Sequence, residues 1–176
     1  YYGFFHPDEV FSNKLVRQAF NYAVDRQQII DFTFKGLLAK PGHYGIVPPA
    51  FKGFTGSDFK QLKGYKYDPD KARQLMDEAG YADRSKFPPV NLQINEGGGR
   101  NVHVAEAIQK MLTETLGIEV EILKIEFAQH YESLESGRAR FWRAGWIADY
   151  PDPENFLDLL YGVNVPDDLN EKSYIN

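Results

Sequence analysis

A chain of 176 residues with 43% hydrophobic and 26% charged residues has the size and composition of one globular domain. Its net charge of −5 argues against nucleic acid as a partner, because phosphate binding needs a basic face. The absence of cysteine removes disulfides, thiolate catalysis and cysteine-held metals together. No apolar run approaches the roughly 20 residues of a membrane span.

The chain begins at Tyr1 rather than Met, which reads as a mature or excised fragment; the lack of a signal segment then says nothing about export. Aromatic residues reach 15%, enough to fill a core and still line a pocket that meets varied ligands. Asn13 to Ala23 carries Leu15, Val16, Ala19, Phe20 and Ala23 at helical spacing. Asp25 opens a second helix with Gln28 three residues on, Ile29, Ile30, Phe32 and Phe34 as its apolar face, and Gly36 as its stop. Residues 37–67 are rich in Gly and Pro and read as a long functional loop.

Asp68 and Pro69 then form an N-cap and first turn, Ala72, Leu75, Met76 and Ala79 a buried stripe, and Gly80 a stop. A strand is predicted over Val90 to Asn95, a helix from about Asn101 to Leu116 ended by Gly117, and a strand over Ile118 to Ile125. A strand–helix–strand unit of this kind gives parallel strands. A short helix over Phe127 to Ser136, a third strand over Arg140 to Ile147 and a short helix from Pro153 to Tyr161 complete the order. The expected class is α/β, with a small mixed sheet flanked by helices, in one domain spanning residues 1–176.

Chemistry is sparse. The Gly97-Gly98-Gly99 turn lies between a strand and a helix but lacks the spacing of a phosphate loop. His6, His43, His103 and His130 are scattered, without metal-ligand spacing, and read as surface or loop residues. No nucleophile elbow is present. The most unusual stretch runs from Arg143 through Trp146 to Asp149, Tyr150, Pro151, Asp152 and Pro153. Three readings of its aspartates stand open. They are a catalytic carboxylate pair, a helix N-cap beside a turn residue, or an Asp149 anchor for a cationic ligand group. Helix capping accounts for Asp152 and weakens the enzyme reading.

The segment Lys14-Leu15-Val16-Arg17-Gln18-Ala19-Phe20-Asn21-Tyr22-Ala23-Val24-Asp25-Arg26 resembles a signature of the peptide/nickel/opine solute-binding proteins of ABC importers. Tyr67-Asp68-Pro69 with Ala79-Gly80-Tyr81, then Leu116-Gly117-Ile118, then Gly145-Trp146-Ile147-Ala148-Asp149, follow in that family's order. The resemblance covers roughly Val10 to Gly162. It implies the second, C-terminal lobe of a two-lobed binding protein of periplasmic-binding-protein type. The N-terminal lobe of the same protein would lie outside this chain. It further implies a short peptide ligand, ABC permease subunits as partners, no cofactor, no metal and no catalysis. The location implied is periplasmic, or the cell surface as a lipoprotein.

In the peptide binders the position of Asp149 holds the ligand's α-ammonium. Ala144, Gly145, Trp146 and Ile147 would offer backbone groups to an extended peptide. Trp146 would also line a side-chain pocket, and Arg143 matches an arginine that reaches the ligand carboxylate in some relatives. Arg17, Asp25 and Arg26 are expected to hold helix ends. The family also includes binders of nickel complexes, haem, opines and sugars, and the fold recurs as the sensing domain of some transcription regulators.

Overall fold

Asn13 accepts the Leu15 N–H at 2.9 Å, so helix α1 (Lys14–Ala23) starts on a side-chain cap. In the computed structural model, which describes residues 1–35, 41–42, 45–48 and 64–164, α1 turns its Val16, Ala19, Phe20 and Ala23 into the core. Asp25 caps α2 (Arg26–Thr33) by accepting the Gln27 and Gln28 N–H groups, both at 3.0 Å. Only Ile29 of α2 is buried. Phe32, expected on the apolar face, is 66% exposed, with the Lys35 ammonium 5.6 Å from its ring centre. Gly36 and most of the 37–67 loop fall outside the described residues.

Helix α3 (Pro69–Met76) has Asp68 accepting the Lys71 N–H at 2.9 Å, and its last turn widens into a π-turn at Asp77–Tyr81. Strand β2 (Val90–Asn95), helix α4 (Gly99–Leu116) and strand β3 (Val120–Ile125) form the predicted unit, with β2 and β3 parallel from Val90↔Val120 to Asn95↔Ile125. Gly117 ends α4 at φ 68°, where a Cβ would be strained.

The sheet order is β1-β4-β2-β3, where β1 is Tyr2–Phe4 and β4 is Phe141–Arg143. Strand β4 runs parallel to β2 and antiparallel to β1, which makes the sheet mixed. The third strand was expected to reach Ile147 and stops at Arg143. Its partners run out: β1 begins at Tyr2, and β2 pairs only Leu92 and Gln93 with Phe141 and Trp142. One face of the sheet sends Val90, Leu92, Ile94 and Phe141 into a core shared with α1, α3 and α4. The other face sends Trp142 and Ala144 against Leu134 of α5 (Phe127–Glu135) and Ala139.

Phe141 sits among Phe4 at 5.0 Å, Phe20 at 5.7 Å, Phe11 at 6.1 Å and Tyr2 at 6.2 Å between ring centres. Arg140 grips Asp8 in a bidentate pair, Nε to Oδ2 at 2.5 Å and Nη2 to Oδ1 at 3.3 Å. The first residues of the chain are thereby fastened to the strand that leads to the candidate site. Helix α6 (Glu154–Leu157) closes the described fold, followed by 3₁₀ turns at Asp158–Leu160 and Gly162–Asn164.

Candidate functional site

Strand β4 delivers the chain to the carboxyl end of the parallel strands, the place where open α/β sheets take ligands. Arg143, its last residue, is half-buried, and its Nη1 donates to Asn95 Oδ1 at the end of β2 at 3.0 Å. Tyr2 lies opposite it in register. Burial pushes the Tyr2 hydroxyl up to about 12, and the Arg143 guanidinium pulls the other way. Gly145 leaves room for that guanidinium, since a Cβ there would lie 3.2 Å from Arg143 Nη2.

Behind Arg143 lies a buried polar relay. His130 of α5 is completely buried, and its Nδ1 is 3.0 Å from Gln93 Nε2. The amide nitrogen can only donate, so Nδ1 accepts, and Nε2 carries the proton it gives to the Arg143 carbonyl at 2.7 Å. The sequence placed His130 on the surface; an isolated histidine carries no local sign of the strand residues that enclose it. Burial pushes its pKa below the ordinary histidine value; the bond to the Arg143 carbonyl opposes this and the Arg143 charge adds to it.

The unfolded chain binds that proton near pH 6.5 and the folded chain resists it, so stability falls as pH drops below about 6.5. Denaturant unfolding at pH 8 and pH 5 should show this loss, and His130→Gln should flatten it. An unchanged pH dependence in that variant would contradict the placement.

Ala144 is 2% exposed and engaged on both sides by Tyr1: its N–H donates to the Tyr1 carbonyl at 3.0 Å, and its carbonyl accepts from Tyr1 N at 2.9 Å. Both backbone groups of Ala144, which the resemblance offered to a peptide, are thus engaged by Tyr1, leaving the second lone pair of its carbonyl. Gly145, Trp146 and Ile147 have no backbone partners among the described residues. Trp146 is 40% and Ile147 90% exposed. Trp146 Nε1 donates to Asn155 Oδ1 at 2.9 Å, and the Asp149 N–H donates to the same oxygen at 3.1 Å.

Asp149 is exposed, and its carboxylate has no hydrogen-bond or ion-pair partner among the described residues. Asp152 Oδ1 accepts the Glu154 N–H at 2.9 Å, but the residue at the N-cap of α6 is Pro153, one position beyond the cap expected at Asp152. Asn155 itself is buried, and sequence reasoning missed it. Its only signal was an amide in the first turn of a helix, a position that reads as capping.

A cavity of about 1120 Å³ has Tyr2, Arg26, Arg143, Ala144, Gly145 and Trp146 in its wall. Ile147 and Asp149 lie outside that wall. Arg17 and Arg26 serve helix ends by donating to backbone carbonyls and to Asn21, rather than in the helix-end pairs expected with Asp25. Arg17 Nη1 donates to the Phe11 and Ser12 carbonyls, and Arg26 Nη2 reaches Asn21 Oδ1 at 2.9 Å. Among the described residues no three His, Cys, Asp or Glu side chains gather as a metal would require, and no helix is long and apolar enough to cross a membrane. His6 and His103 are exposed, and His43 lies outside the described residues.

The architecture is that of the periplasmic binding proteins. The murein tripeptide binding protein MppA of Escherichia coli superposes with a TM-score of 0.78 at 27% identity, over 93% of this chain and 31% of that one. The chain belongs to the bacterial extracellular solute-binding proteins, family 5, whose middle region matches residues 1–167. It is 30% identical over 159 residues to the dipeptide-binding protein DppE of Bacillus subtilis, covering 89% of this chain and 29% of that protein. It is 32% identical over 156 residues to the heme-binding protein A of Haemophilus influenzae, covering 86% of this chain and 27% of that one. The chain thus spans less than a third of the length of these relatives. Members of the family are binding proteins rather than enzymes, and they work outside the cytoplasm.

Proposed function

We propose that this chain is the second, C-terminal lobe of a two-lobed peptide-binding protein that captures short peptides between its lobes for an ABC importer. The observation that carries the reading is the segment from Gly145 to Asp149. The backbone groups of Gly145, Trp146 and Ile147, without partners among the described residues, lead to the exposed Asp149 carboxylate, which likewise has none. An extended peptide pairs with such backbone irrespective of its side chains. A carboxylate at the end of the run meets the peptide's α-ammonium in a charge-assisted hydrogen bond. Arg143, steadied by Asn95, is placed to meet a second polar group of the ligand, and Trp146 offers an aromatic wall. The names of the dipeptide- and tripeptide-binding relatives support the same ligand class.

In this reading the chain performs no catalysis, and Asp152 serves the turn before α6 by accepting the Glu154 N–H. Its partners are the N-terminal lobe and the permease subunits, and its place is the periplasm or the cell surface. The likeness to a heme-binding protein favours one other ligand, a flat apolar one held by the cavity. Titration calorimetry of the intact protein with a pool of di- to pentapeptides separates the two. Saturable peptide binding is expected. Absence of peptide binding together with an absorbance change on adding haem would overturn the peptide reading.

A further inference from the structure

Among the described residues, Asn155 is the one side chain hydrogen-bonded to both Trp146 and Asp149. Its Oδ1 takes the Trp146 indole N–H at 2.9 Å and the Asp149 main-chain N–H at 3.1 Å. Neither donor can bond to an amide nitrogen, so the convergence of both identifies the atom as oxygen. A carbonyl oxygen has two lone pairs, and these two bonds use both. The side chain is 6% exposed, so water is a poor substitute for it. Its backbone is held as well. The Asn155 N–H donates to the Asp152 carbonyl at 3.2 Å, and the neighbouring Phe156 is buried against Val47. Rigidity in the first turn of α6 is therefore passed through one atom to the ring and the carboxylate-bearing residue.

We propose that Asn155 is a positioning residue for ligand binding: it sets Trp146 and Asp149 in register so that the aromatic wall and the ammonium anchor engage one ligand together. This rests on the peptide reading of the site. Beyond Asp149 itself, the affinity gained from a free amino terminus then depends on a residue that never touches the ligand.

The test uses the intact protein with Asn155→Leu, which keeps the shape and removes the acceptor, and Asn155→Asp, which keeps an acceptor. In the ligand-free protein, hydrogen–deuterium exchange over residues 145–150 should accelerate in Asn155→Leu and stay near wild type in Asn155→Asp. Trialanine and N-acetyl-trialanine are the probes of binding. Asn155→Leu should weaken trialanine roughly tenfold or more, the loss of about one charge-assisted bond, and weaken the acetylated peptide far less. Asn155→Asp should lie close to wild type in the difference between the two peptides. A merely structural role would lower both affinities alike. Equal losses, or unchanged exchange in Asn155→Leu, would overturn the proposal. A wild-type protein that binds neither peptide would sink the peptide reading, and the ligand role of Asn155 with it. The exchange arm would then still decide whether Asn155 orders the segment.

Discussion

In the intact protein, Asp149→Ala is expected to weaken binding of peptides with free amino termini by roughly ten- to a hundredfold, the equivalent of about 1.5–3 kcal/mol for a hydrogen bond to a charged group. The reason is geometric. Asn155 fixes the main chain at Asp149, so the carboxylate projects from an ordered residue without a partner among the described residues. An ammonium arriving there exchanges water for a charge-assisted bond without first breaking an internal ion pair. An ordered acceptor also loses little freedom on binding, which keeps more of the interaction as affinity. Peptides with an acetylated amino terminus carry no ammonium and should lose much less on the same substitution. Isothermal titration of both peptide forms against both proteins checks this, and equal losses would remove Asp149 from the anchor role.

Phe141→Ala is expected to carry the largest stability loss among single core substitutions, about 3–5 kcal/mol in denaturant unfolding. Phe141 is 3% exposed, lies between β1 and β2 in the sheet, and packs against four aromatic rings from β1, α1 and the segment before α1. Truncation leaves a cavity lined by rigid rings, which collapse poorly into it. It also loosens the strand that ends at Arg143 and leads on to Gly145. Phe32→Ala, on an exposed ring, is the matched control and should change stability by no more than about 0.5 kcal/mol. A loss below about 1 kcal/mol for Phe141→Ala would contradict the packing described.

The elements legible in the sequence were those whose signals are local. Asp68 with Pro69 marks the start of α3 and Gly117 the end of α4 because capping chemistry acts within a few residues. Val90–Asn95 was read correctly, with Pro88 and Pro89 just ahead of it as a local signal of where it begins. The end of β4 was not legible, since it depends on pairing with Tyr2 to Phe4 at the far end of the chain. The same distance hid the engagement of Ala144 by Tyr1. Phe32 carried helical spacing, yet only Ile29 of its helix is buried in the core.

The candidate site was legible as a stretch of residues but not as an arrangement. Arg143, Gly145 and Trp146 stood out by composition and by resemblance, whereas Asn95, Gln93 and His130 did not. Those three come from β2 and α5; the fold brings Asn95 and His130 against Arg143, and Gln93 against His130. Asn155 lies six residues beyond Asp149 and nine beyond Trp146, near in sequence, but its oxygen reaches both only because the chain turns back at Pro151 to Pro153.

Titration calorimetry of the intact wild-type protein with matched free and N-acetylated di- to pentapeptides tests peptide capture through the amino terminus. With Asp149 as the proposed ammonium acceptor, the free peptides should bind saturably and the acetylated ones weakly or not at all. Equal affinity for the two forms would contradict it.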